Sequence, residues 1–234
     1  MRTTLAAAAI AAVAITAQPA LATTYNLALA PGNPLADGIS ATVAGETGVY
    51  VGPINMAVTN TSTNSTIDQL VFCTDTAYNF ANGTYTLGGL TTGYANQPLT
   101  GNQIKAIGAL LQNTTITPDV NNDAAIQGAI WTIENNYSSK DVTTVVTNGG
   151  QSFVKDANAM LTSLYTTWIN QTVTAAISQY QPYPANSQNQ SFGFLTVGGG
   201  GVGGGGSQAP LPEPTSLALL AAGVLGLAGL RRRA

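Results

Sequence analysis

The run Asn121-Asn122-Asp123-Ala124-Ala125-Ile126-Gln127-Gly128-Ala129-Ile130-Trp131-Thr132-Ile133-Glu134-Asn135 reads as a buried helix, and the rest of the chain is arranged around it. Ile126, Ile130, Ile133 and Tyr137 recur at i, i+4, i+7 and i+11, the spacing of one helical face. Ala124, Ala125, Gly128, Ala129 and Trp131 fill most of the remaining circumference, and a helix apolar nearly all round is normally enclosed. Asp123 or Asn122 is expected to cap the first turn, because a short side-chain oxygen accepts from the free N–H groups there. Gln127 is the odd residue. A buried amide needs partners for both its carbonyl and its NH₂ group, and Trp131 lies one turn beyond it on the same side. Taken alone, the helix asks no more of Gln127 than to be a half-exposed or hydrogen-bonded amide of no special role, since most buried polar groups are simply satisfied.

The second informative place is Val71-Phe72-Cys73-Thr74-Asp75, which holds the single cysteine of the chain. One cysteine makes no internal disulfide, and an odd cysteine in an exported protein is free, reactive or intermolecular. Phe72-Cys73, followed downstream by Ile126-Gln127-Gly128-Ala129-Ile130-Trp131, resembles the thioester domains of bacterial surface adhesins over roughly 50–194. The resemblance implies that the Cys73 thiol displaces ammonia from the Gln127 amide, leaving an internal thioester. It implies supporting places for Phe72 and Trp131, whose apolar bulk would keep water from the bond. Asp75 is a candidate for orienting the local backbone or an incoming amine, or else is simply a turn residue after a strand.

Composition narrows the alternatives. Only 7% of the residues are charged, against roughly 25% in typical globular proteins, and Asn, Thr, Ser, Gly and Gln carry the polarity instead. Between the two termini the basic residues are Lys105, Lys140 and Lys155, so no patch is expected to neutralise phosphates and no nucleic-acid partner is expected. With no histidine, Ser-His-Asp and Cys-His catalysis are excluded, as is His-ligated zinc. One cysteine excludes thiolate zinc within the chain. No metal, cofactor or enzymatic activity is expected. Seven Asn-x-Ser/Thr sequons reflect the abundance of Asn and Thr and mark surface loops.

Four segments are expected. Residues 1–22 read as a signal peptide: Arg2, the apolar stretch Leu5 to Ile15, and Ala20-Leu21-Ala22 as a small-x-small cleavage site for signal peptidase. Residues 23–197 form the ectodomain. Residues 198–209 are a Gly-rich linker with a reach of roughly 15–20 Å, lacking the Lys-Ser/Thr of a phosphate loop. Residues 210–234 hold Pro212-Glu213-Pro214, an apolar run from Ser216 to Leu230, and Arg231-Arg232-Arg233. This tail resembles the PEP-CTERM sorting segment of Gram-negative bacteria. The resemblance implies a short transmembrane helix held transiently in the inner membrane, arginines retained in the cytoplasm, and cleavage near Pro212-Glu213-Pro214 by an exosortase. The charge pattern agrees, since an arginine cluster is the usual cytoplasmic stop.

Within the ectodomain, residues 23–48 read as an extended lead-in and Val49 to Thr59 as a strand in which Pro53 argues for an edge position or a break. Ile67 to Cys73 reads as the next strand, and Asn82-Gly83 signals a hairpin turn. Thr100-Gly101-Asn102-Gln103 is a capping box opening a first helix. Phe153, Ala157, Met160, Leu161, Leu164 and Trp168 mark a third helix, and strands return from Val173 and from Ser191. The expected class is α+β, a β-sandwich or barrel with an inserted three-helix segment. Two functions fit: an envelope-sorted adhesin that bonds covalently to amines or hydroxyls of a surface or matrix ligand, or a non-covalent structural protein of the envelope or biofilm matrix.

Overall fold

The computed structural model describes residues 23–31, 38–43, 45–77, 79–135, 142–147, 151–174, 176–184 and 189–196. The expected signal peptide with Ala20 and Ala22, the linker 198–209, the tail with Pro212, Glu213, Pro214, Arg231, Arg232 and Arg233, and Tyr137 lie outside the described residues.

The chain runs β1 (Thr24–Leu29), β2 (Ile39–Val43), β3 (Glu46–Val51), β4 (Ile54–Asn60), β5 (Thr66–Cys73), β6 (Gly83–Gly89), α1 (Gly101–Asn113), α2 (Val120–Glu134), β7 (Val146–Thr147), α3 (Gln151–Thr166), β8 (Ala176–Pro182) and β9 (Phe192–Thr196). Six strands close an antiparallel barrel in the order β1-β4-β5-β9-β8-β6, while β3-β2-β7 form a separate small sheet. The fold is therefore a barrel rather than a sandwich, with all three helices inserted between β6 and β8.

Alternation sets the barrel interior. Ile54, Met56 and Val58 of β4 are buried while their neighbours are half-exposed, because successive strand residues face opposite sides. Tyr25 meets Tyr180 edge-on at 5.6 Å, and Tyr180 stacks on Phe194 at 5.1 Å. The buried Tyr180 hydroxyl donates to Gln69 Oε1 at 2.8 Å, so the phenol's polar end is satisfied.

Two expectations are corrected. Residues 23–48 are not a lead-in: β1 pairs with both β4 and β6, and β2 anchors the small sheet. The partners of β1 lie far along the chain, so local sequence carried little of its signal, whereas β2 pairs with the next strand β3 and, on its other edge, with distant β7. The Asn82-Gly83 pair does not return a hairpin onto β5. The strand that follows it pairs with β1 and β8, since barrel closure decides the partner. Of the two readings of Pro53 the break holds: Val49 to Thr59 divides at Gly52-Pro53 into strands of two different sheets.

Helix α1 starts on the expected capping box: Thr100 Oγ1 accepts from the Gln103 N–H, and Gln103 Oε1 accepts from the Thr100 N–H. Gln103 Nε2 also donates to the carbonyls of Ile133 and Glu134 at 2.9 and 3.0 Å, tying the end of α2 to the start of α1. The cap of α2 is Asp119, which accepts from the Asn121 N–H; neither Asn122 nor Asp123 caps it, because the helix begins earlier than expected. Asp123 instead accepts from the Thr117 N–H at 3.0 Å and holds the incoming loop.

Every residue of α2 from Asp123 to Glu134 is buried. Ile126, Ile130 and Ile133 pack with Phe72, Ile107, Leu110 and Leu161. Ala124, Ala125 and Trp131 pack with Val51, Cys73, Val142 and Phe153. Gly128 permits this second contact: a Cβ there would lie 3.0 Å from the Phe153 ring and 3.2 Å from Val142. Among the described residues no helix is long and apolar enough to cross a membrane; the apolar tail run, expected as a transmembrane helix, lies outside them.

Candidate functional site

Cys73 is the last residue of β5. There the strand has left β4, whose pairing ends at Val71, and runs beside β9 through Phe72↔Gly193 and Cys73↔Phe192. Alternation turns Phe72 and Cys73 to opposite faces. Phe72 enters the cluster around Ile126 and Ile130, whereas Cys73 joins Ala124 and Trp131. The proposed shield around the thiol therefore does not include the Phe72 ring on the same face.

Gln127 reaches Cys73 across the gap between helix and strand. Its Oε1 accepts from the Cys73 N–H at 2.9 Å, and its Nε2 donates to the Cys73 carbonyl at 2.8 Å. The Trp131 indole N–H donates to the same carbonyl at 3.0 Å. The carboxamide thus docks on the backbone of the cysteine much as another strand would, with both of its functions engaged. Gln127, Trp131 and Cys73 are all buried, at 0, 1 and 2% exposure, so the contact is dry.

The sulfur has its own partners. Sγ donates to the Asp75 carbonyl at 2.9 Å and receives the Asp75 N–H at 3.4 Å. Gln190, just before β9, points its Nε2 at Sγ (2.6 Å) and at the Asp75 carbonyl (2.9 Å). Burial pushes the thiol pKa well up; the Asp75 backbone contact works against that, the charges of Glu134 and Asp75 add to it, and the Trp131 indole opposes it. A thiol in this setting stays protonated at neutral pH and is a weak nucleophile without a proton acceptor.

Two buried carboxyls flank the cysteine. Asp75 accepts from the N–H groups of Ala77 and Ala95 at 2.8 and 2.9 Å through Oδ1, and from Asn96 at 3.2 Å through Oδ2. Ala95 and Asn96 hold left-handed φ values of 52° and 55°, so the carboxylate clamps an unfavourable turn. Burial raises the Asp75 pKa and the three backbone donors offset part of that rise. Glu134 closes α2. Burial, then the Asp75 charge, raises its pKa well above the ordinary range.

Next to the cysteine, Gln179 binds Thr74, Thr92 and Ser191. Its Nε2 donates to the Thr92 carbonyl at 2.7 Å and to Thr74 Oγ1 at 2.9 Å, and its Oε1 accepts from the Thr91 N–H at 3.1 Å. This polar layer holds the segment after Cys73 in place. Among the described residues no cluster of three His, Cys, Asp or Glu side chains is arranged to hold a metal.

The structure thus brings Cys73, Gln127, Trp131 and Asp75 together, with Phe72 on the far face of β5. Sequence reasoning missed Glu134 and Gln190. Glu134 was legible, since it stands seven residues after Gln127 on an otherwise apolar helix. Gln190 lies 117 residues from Cys73 and has no local signal.

Residues 210–233 match the PEP-CTERM protein-sorting motif. That motif implies export, sorting to the cell envelope and processing by an exosortase. No curated protein matches the chain. Among solved structures, similar chains include the N-terminal thioester domain of a surface protein from Clostridium perfringens, at 11% identity and a TM-score of 0.46, covering 74% of this chain and 99% of that one. The N-terminal domain of the Streptococcus pyogenes pilus tip adhesin Cpa is similar at 13% identity and a TM-score of 0.45, covering 77% and 95%. The thioester domain of a protein F2 like fibronectin-binding protein from Streptococcus pneumoniae follows at 17% and 0.43, covering 74% and 92%. The fold class itself rests on this chain's own strand pairing.

Proposed function

We propose that the chain is a surface adhesin or matrix protein of a Gram-negative bacterium that bonds covalently to its ligand through an internal Cys73–Gln127 thioester. The observation that carries this reading is the docking of the Gln127 carboxamide on both backbone groups of Cys73. In bond formation the Cys73 sulfur attacks the Gln127 carbonyl carbon and ammonia leaves. The Cys73 N–H, 2.9 Å from Oε1, stabilises the negative charge that grows on that oxygen, as an oxyanion donor does. An amine or hydroxyl on a surface or matrix polymer then attacks the same carbon, and sulfur departs as the thiol. A thiolate leaves more readily than an amide nitrogen because thiols are the stronger acids. Each molecule reacts once, so this is not enzymatic turnover. Trp131 is the residue that keeps the bond dry on the Cys73 side, and Asp75 orients the backbone that carries the sulfur. Processing proceeds by signal peptidase after Ala22 and by exosortase near Pro212-Glu213-Pro214, after transient residence in the inner membrane.

A second reading draws on the same contact. The Gln127 carboxamide has both functions hydrogen-bonded as it stands, which suits a non-covalent structural protein of the envelope or biofilm matrix. Intact mass decides between them. The adhesin reading expects the mature protein to lack one ammonia, and methylamine to add once while releasing one thiol on Cys73. Cys73→Ala should abolish uptake. Peptide mapping should find the label on Gln127; a label on Gln190, whose amide nitrogen contacts Sγ, would overturn the choice of acyl residue. A mass that retains the ammonia leaves the structural reading.

A further inference from the structure

Glu134 has no part in holding the fold that explains its burial. Its side chain is only 6% exposed, yet among the described residues neither carboxyl oxygen has a hydrogen-bond partner. Buried polar groups are nearly always paired, so an unpaired carboxyl needs a reason. Its backbone is pinned: the Gln103 amide binds its carbonyl, and Gly93 lies so close that a Cβ there would be 3.2 Å from Glu134 Cβ and Cγ. Its position on α2 is four residues and then three residues along from Gln127 through Trp131, the row that faces Cys73. The negative end of the α2 dipole falls here, and Asp75 faces it from the segment after β5. The other neighbours described beside it, Gly93 and Gln103, carry no charge. Burial and the Asp75 charge both favour the protonated form of this group, and neither of its oxygens is engaged among the described residues.

Building on the thioester reading above, we infer that Glu134 is the proton-transfer group of the Cys73–Gln127 pair, acting on both the making and the breaking of the bond. In bond formation the Cys73 S–H proton passes to one Glu134 oxygen as sulfur attacks the Gln127 carbonyl carbon. The other oxygen gives its proton to the departing nitrogen, which leaves as ammonia. In bond breaking the N–H proton of an attacking amine passes to one oxygen, and the other oxygen protonates the leaving sulfur. Each direction makes one acyl bond and breaks one. The carboxyl ends neutral, and no oxidant or reductant enters. This supplies the proton acceptor that the buried Cys73 thiol lacks.

The test compares the full mature chain with Glu134→Gln, which keeps the shape and burial but transfers no proton. Intact mass reports whether the bond forms, and thiol release in methylamine reports how fast it is consumed. Expected is a folded Glu134→Gln protein that either retains its ammonia or reacts about 10²-fold more slowly or worse. The wild-type rate, corrected for the free-amine fraction, should fall as pH rises through the Glu134 pKa, and this step should be missing from Glu134→Gln. Asp75→Asn should move the step to lower pH, because the Asp75 charge helps hold the Glu134 proton. A Glu134→Gln protein with the wild-type rate and profile overturns the inference and leaves the thioester standing. Should that variant not fold, a wild-type corrected rate that does not decline overturns it equally. A wild-type mass that retains the ammonia removes the thioester reading itself, and with it this inference.

Discussion

Two buried carboxyl groups act on one thiol, and their surroundings are opposite. The segment around Asp75 offers three backbone N–H groups to a single side chain, two of them from the strained turn at Ala95 and Asn96. The last turn of α2 offers Glu134 none among the described residues. The first region is built to be held still, because each donor is satisfied and the turn would open without its acceptor. The second holds an unsatisfied acid, whose burial costs stability. The difference teaches that burial alone says little about role; the count of partners separates a clamp from a chemical group.

Mutation should separate the two regions by size of effect. Asp75→Ala leaves three part-buried N–H groups unpaired and should cost about 2–4 kcal/mol in denaturant unfolding at neutral pH. Asp75→Asn, retaining one acceptor oxygen, should fall between this variant and wild type. A loss below that of an ordinary surface change would break the comparison, since Asp75 would then not be a clamp. Trp131→Phe bridges the two regions: it keeps an aromatic ring but removes the donor to the Cys73 carbonyl, and should cost about 1–2 kcal/mol. That loss is bounded because Gln127 Nε2 still serves the same carbonyl.

The smallest effect belongs to Glu134→Gln, and its sign depends on pH. The native state holds the Glu134 proton to higher pH than the unfolded chain does. Stability from this group is therefore full below its ordinary value of 4.5 and is lost as pH rises through the raised native value. Glu134→Gln should match wild type at the acid end, lack this decline, and become the more stable protein above it. Thermal melts across pH read this directly. A decline that Glu134→Gln retains in full would assign it to Asp75, whose pKa is raised in the same direction.

The elements most legible in sequence were those whose signal is local. The Thr100–Gln103 box, the stripe of α3 and the apolar circumference of α2 repeat every three or four residues, and each became the expected helix. Their propensities and caps lie within one turn of chain, so tertiary contacts had nothing to override. Gln127 stood out for the same reason, as an amide among isoleucines and alanines. β1 and β2 did not stand out, because each is only five or six residues long; β1 gains its order from distant β4 and β6, and β2 is held on one edge by distant β7.

By itself the sequence determined the buried helix, the lone cysteine at a strand end, the composition that removes histidine chemistry, and a tail matched by the sorting motif. Only the tertiary structure decided which strand closes on which, that Phe72 turns away from the sulfur, and that Asp75 is clamped while Glu134 is left unpaired. Those outcomes depend on contacts between residues tens of positions apart, whose closure is governed by the packing of the whole barrel and not by any window of neighbours.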